Sequence, residues 1–259
     1  MGHERIGFLP RTQPWVDIIK QLTDFDCSDD TVAKISNNTL ANIKKKYEQM
    51  SSDESVIKAI RFLIILSLSA NQQDQREFLA KNGIIVDERF SLFSLIRCAK
   101  DYIVTDTGSL ETNKMVVDAV LYVLSSYERK KGNKQLSLFN NSNETPWKNI
   151  GTGAVFCELA RLFFAEFTNR HLRYYLEREA AQAIDDYDSI EIFSQKLTKQ
   201  SEALSTHAFE ISKIMQSFAA GWFNKYSRSD IPTNEEIIRF LNMTFGKIRA
   251  ELRREAEAL

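Results

Sequence analysis

The 259-residue chain carries 34 basic and 35 acidic residues and is 43% apolar, so it can bury a sizeable core. A formal net charge of −1 excludes a polycation that grips nucleic acid by bulk charge. Cys27, Cys98 and Cys157 are widely separated and form neither a CxxC nor a CxxxC pair, which excludes a zinc finger or disulfide framework and predicts a reduced compartment.

In chain order, the opening MGHERIGFLPRTQPW holds Gly2, Gly7 and Pro10, and predicts an extended arm over residues 1–13. Its Phe8 and Leu9, with Trp15 just beyond, need cover and are candidate partner contacts. The arm lacks the apolar stretch of a signal peptide, and the longest apolar run, residues 62–68, is about a third of a membrane span. The expectation is therefore a cytoplasmic protein that does not enter a membrane.

Only nine Gly and four Pro punctuate the chain, and apolar residues recur at three- and four-residue steps, which predicts an all-α fold. A helical bundle is expected over residues 14–130. Thr12 and Pro14 start a short helix with Trp15, Ile18, Ile19 and Leu22 on one face. Residues 30–49 form a weakly amphipathic helix containing Lys44, Lys45 and Lys46. The next begins near Asp53 and runs through IKAIRFLIILSLSA, apolar on nearly every side and so central to the bundle. A short helix over 73–82 stops at Gly83, one over 90–104 turns Phe93, Ile96 and Ile103 inward, and Ser109 caps the helix through MVVDAVLYVLSSY.

Residues 131–146 are rich in Asn, Ser and Lys and read as a linker, pinned by Leu136, Leu138 and Phe139 or offering them to a partner. A long-helix bundle is expected over 147–259, whether separate from the first bundle or continuous with it. Gly151 and Gly153 form a turn before it and lack the Gly-Lys-Ser/Thr of a phosphate loop. Its two very long helices span 153–184 and 189–226. In the second, Ile190, Phe193, Leu197, Gln200, Leu204, His207, Ile211, Ile214 and Phe218 form a heptad seam, with His207 and Gln200 setting register. The predicted architecture is a multi-helix bundle in which these two helices pack as an antiparallel, coiled-coil-like hairpin. Thr233 and Glu236 form a capping box for a final amphipathic helix.

The stretch TNRHLRYYLERE, residues 168–179, is the most unusual in composition. On a helix, Glu166, Arg170, Arg173 and Glu177 make a ladder of opposite charges, while Phe156, Leu159, Phe163, Phe167 and Tyr174 follow a core spacing. Arg170, His171, Arg173 and Tyr174 are candidate partner-binding residues, because guanidinium forks grip carboxylates or phosphates beside a stacking ring. No catalytic residue is assigned, since His171 lacks an identifiable nucleophile or orienting acid in the sequence. No HExxH or carboxylate cluster argues for a metal, and no cofactor is expected. Function is read as that of a non-enzymatic helical subunit or adaptor that binds a protein partner or itself through helix–helix contacts. A second reading is a nucleic-acid-associated subunit using Arg170 and Arg173, or Lys44, Lys45, Lys46, Arg239, Arg249 and Arg253.

Overall fold

A computed structural model describes residues 12–87, 90–107, 109–132, 152–227 and 230–258. The expected arm residues Phe8 and Leu9 and most of the linker lie outside the described residues, as do the side chains of Lys44, Lys45, Lys46, Gln200, Leu204, His207, Ile211, Ile214, Arg249 and Arg253. Among the described residues the fold is all-helical and has no strand. Its elements are α1 (Gln13–Thr23), α2 (Asp29–Met50), α3 (Glu54–Ser69), α4 (Gln75–Lys81), α5 (Leu92–Ile103), α6 (Leu110–Gly132), α7 (Thr152–Ala183), α8 (Tyr187–Tyr226) and α9 (Asn234–Ala258).

Side-chain caps fix most of the helix starts by occupying N–H groups that have no partner within the first turn. Asp53 accepts from the backbone N–H of Ser55 and Val56, Ser109 from Thr112, and Asp186 from Ser189. At α9 the capping box forms in both directions: Glu236 accepts from Thr233 N at 2.8 Å and Thr233 Oγ1 accepts from Glu236 N at 3.3 Å. These hydrogen bonds hold the Asp186 and Glu236 carboxyls below their ordinary range.

Gly83 closes α4 at φ +81°, which lets Ile84 N donate back to Leu79 O at 2.9 Å. A Cβ there would meet Tyr102 Cε2 at 3.7 Å, an ordinary contact, so the constraint is backbone conformation and not space. Gly83→Ala is expected to cost about 1–2 kcal/mol in urea titration, and Gly83→Asn less, because Asn tolerates the left-handed region. Equal losses for the two variants would show that the left-handed geometry is not what matters.

α3 sits at the centre, as its unbroken apolar surface requires. It packs on α4, α5, α6, α7 and α9 and buries Phe62, Leu63, Ile64, Ile65 and Leu66. α7 is the other hub, touching α1, α2, α3, α6 and α8. Buried residues from Trp15 to Ile248 belong to one connected core. Where α7, α8 and α9 meet, Phe156 stacks on Phe223 with centroids 4.8 Å apart and lies 5.8 Å from Phe240, which in turn lies 4.6 Å from Trp222.

Two inward-facing expectations are corrected. Phe93 is 79% exposed, because α5 turns Leu95, Cys98, Ala99 and Ile103 inward and Phe93 lies about 200° of helical rotation from Leu95. The α7 core stripe continues from Phe167 through His171 to Tyr175, both buried, leaving Tyr174 at the edge. Trp15 is buried within the chain, its ring 6.2 Å from that of Tyr175.

Candidate interaction site

α6 and α7 run in opposite directions: Lys130 Nζ meets Glu158 Oε1 at 2.5 Å near one end, and Arg170 Nη1 reaches Asp118 Oδ2 at 3.5 Å further along. Between them is a cleft of about 400 Å³ that holds the polar part of TNRHLRYYLERE. The charges in this cleft answer one another. Arg170 Nε lies 2.7 Å from Glu166 Oε1, while Asp118 also takes Lys114 Nζ at 2.8 Å. Arg173 donates through Nε and Nη2 to Glu177 Oε1 at 3.0 and 2.5 Å.

The expected ladder is thus two separate pairs, and the first is tied to a second helix. Lys114 and Asp118 are absent from the sequence-derived site because the apolar pattern of α6 does not single them out; their i,i+4 spacing is the one signal that marks them as a pair. The two pairs differ in setting. Glu166 is only 8% exposed, and burial pushes its carboxyl above the ordinary range against the opposing attraction of Arg170. Arg173 and Glu177 both stand partly in water. His171 is buried in the aromatic column, 6.0 Å from the Phe167 ring and edge-on to Tyr175 at 4.9 Å. Trp15 and His171 therefore present no surface to a partner here, while Arg173 and Tyr174 remain at the cleft. Of the basic set proposed for nucleic acid, Arg239 lies 3.5 Å from Glu235.

A second, more apolar surface lies next door, where α5 turns into α6. A groove of about 450 Å³ has Val104, Leu110, Val117 and Leu121 along it. Val104 is 46% exposed and Leu110 56%. The turn that carries them is braced. Asn113 Nδ2 donates to the carbonyls of Thr105 at 3.2 Å and Thr107 at 3.4 Å, and Thr105 Oγ1 donates to Thr107 O at 2.6 Å. The Thr107 hydroxyl donates to the Glu54 carboxylate at the start of α3, which holds that carboxyl below its ordinary range. An apolar groove is thereby held on two helices and a turn braced by hydrogen bonds.

No family model matches the chain, and no similar curated protein or solved structure was found. The groove was legible only in part: Val104 and Leu110 flank the polar turn TDTGS, an arrangement that leaves two apolar residues at the mouth of a helical hairpin. Lys100 and Asp106 line the same groove and form no ion pair among the described residues. No helix among the described residues is long and apolar enough to cross a membrane, and no cluster of His, Cys, Asp or Glu among them could hold a metal ion.

Proposed function

We propose that the chain is a non-enzymatic helical subunit that joins a larger protein assembly through helix–helix contacts, with the α5–α6 groove as the docking face. The observation that carries this reading is the preformed apolar groove with exposed Val104 and Leu110 along it. Helix-in-groove recognition needs such a surface: apolar anchors spaced along a partner helix fill the floor, and rim charges set its orientation. We also read α7 and α8 as an antiparallel, coiled-coil-like hairpin. The heptad spacing in α8, the short connection over residues 184–186, and the close approach of Gly153 to Asn224 support that reading. The reduced cysteines suit a cytoplasmic setting, and burial pushes the Cys157 thiol up to about 11, which suits a packing role better than a reactive one. The nucleic-acid reading is less well supported, because Arg170 and Arg173 are already paired with carboxylates.

Size determination of the tagged chain in native extract tests the proposal. The wild type is expected in a particle heavier than its own 29.8 kDa, and Leu110→Asp is expected to leave that particle while melting within about 0.5 kcal/mol of wild type, since the position is mostly in water. A wild-type chain of monomer mass, or a Leu110→Asp chain that stays in the particle, would refute the reading.

A further inference from the structure

Resting on that reading, we infer that the occupant of the α5–α6 groove is the same face of a second copy of this chain, related by a two-fold axis. An isologous interface must be complementary to itself, so that each cation on the patch meets an anion of the same patch in the other copy. The groove supplies both signs. Lys100, near the end of α5, is exposed; Asp106, in the turn, is exposed; and neither has an ion pair among the described residues. Val104 and Leu110 lie close to Asp106 in the chain, and all four residues line one groove. A two-fold axis set midway between Lys100 and Asp106 would carry Lys100 onto the partner's Asp106 and Asp106 onto the partner's Lys100. It also sets the exposed apolar pair against its own copy.

The other charges along the groove fit the same logic. Lys114 and Asp118 line the groove too, but they are already matched within the chain at 2.8 Å, so they add no net charge for a foreign partner to answer. A partner of one dominant charge would find nothing to complement on a rim that sums to zero.

Sedimentation of the purified full chain, backed by native mass spectrometry, decides the matter. The wild type is expected to dimerise, and Leu110→Asp to weaken the dimer at least about tenfold while keeping the wild type's helical content by circular dichroism. Lys100→Asp alone sets two carboxylates against each other twice across the axis, and Asp106→Lys alone sets two ammonium groups; each is expected to weaken self-association by about tenfold or more. Mixed one to one, the two variants regain both opposite-charge contacts and are expected to dimerise as heterodimers. This rescue distinguishes a second copy from any other occupant. Failure of the mixture to recover, or a wild-type dimer indifferent to all three changes, overturns the inference. A wild type that is monomeric when pure, yet sits in a heavier native particle that Leu110→Asp abolishes, overturns the second copy and leaves the docking reading standing. A wild type monomeric in both settings overturns both.

Discussion

Phe156→Ala is expected to lose about 3–5 kcal/mol of stability, the range for truncating a fully buried aromatic residue whose surroundings cannot close over the gap. Phe156 is fully buried in α7 and contacts two other helices: Trp222 and Phe223 of α8 at 6.1 and 4.8 Å, and Phe240 of α9 at 5.8 Å. These neighbours are themselves held. Trp222 packs on Phe240 at 4.6 Å, and Phe218 stacks on Phe240 at 5.9 Å, so no single ring is free to swing into the cavity. Urea titration followed by circular dichroism measures the loss, with Phe93→Ala as the exposed control expected to stay within about 0.5 kcal/mol. A Phe156→Ala loss below about 1 kcal/mol would mean that the cluster relaxes freely and does not hold the three helices together.

The contrast between those two phenylalanines shows what the sequence carries. Periodicity placed α3 at the centre because its apolar residues leave no polar side, and the capping chemistry at Ser109, Gly83 and Thr233 marked helix ends because those signals are local. Phe93 departs from the inward face expected of it because a single aromatic residue in a first turn says nothing about which side of its helix the core lies on. His171 posed the same difficulty in reverse. In the sequence it stands among arginines, yet on the helix it falls between Phe167 and Tyr175, and only the packing of α7 against its neighbours turns that side inward. The candidate site was legible as composition and not as partnership. Glu166, Arg170, Arg173 and Glu177 share a helix face by spacing alone, but that Asp118 reaches Arg170 is a long-range fact that no local pattern encodes. The α5–α6 groove was least legible, since it arises from where two helices leave a gap.

That long-range tie sets the last expectation. If all four ladder charges stood in water, removing Arg170 would cost no more than an exposed ion pair, roughly 0.3–1 kcal/mol. Instead Arg170 faces a Glu166 that is nearly enclosed, so Arg170→Ala is expected to cost about 1.5–3 kcal/mol at neutral pH by stranding a buried carboxylate, below the figure for a fully buried pair because Arg170 itself is a third exposed. Arg173→Ala, whose pair with Glu177 is partly solvated, is expected to stay near about 0.5 kcal/mol. The sign of the pH dependence follows from burial. Glu166 in the folded chain titrates above its ordinary value, so the folded state holds the proton more tightly than the unfolded one. The stability this group contributes is full at low pH and is lost as pH rises through the elevated folded value. Without Arg170 the opposing attraction is gone and the folded carboxyl moves higher still. The deficit of Arg170→Ala should therefore be greatest at neutral pH and shrink towards about pH 5, nearer the ordinary Glu range. Urea titrations of both proteins at the two pH values measure this, with Glu166→Gln as the background in which Arg170→Ala should lose both its larger cost and its pH dependence. A deficit that is constant or grows on acidification, or that persists in the Glu166→Gln background, would show that Arg170 works through Asp118 and not through the buried acid.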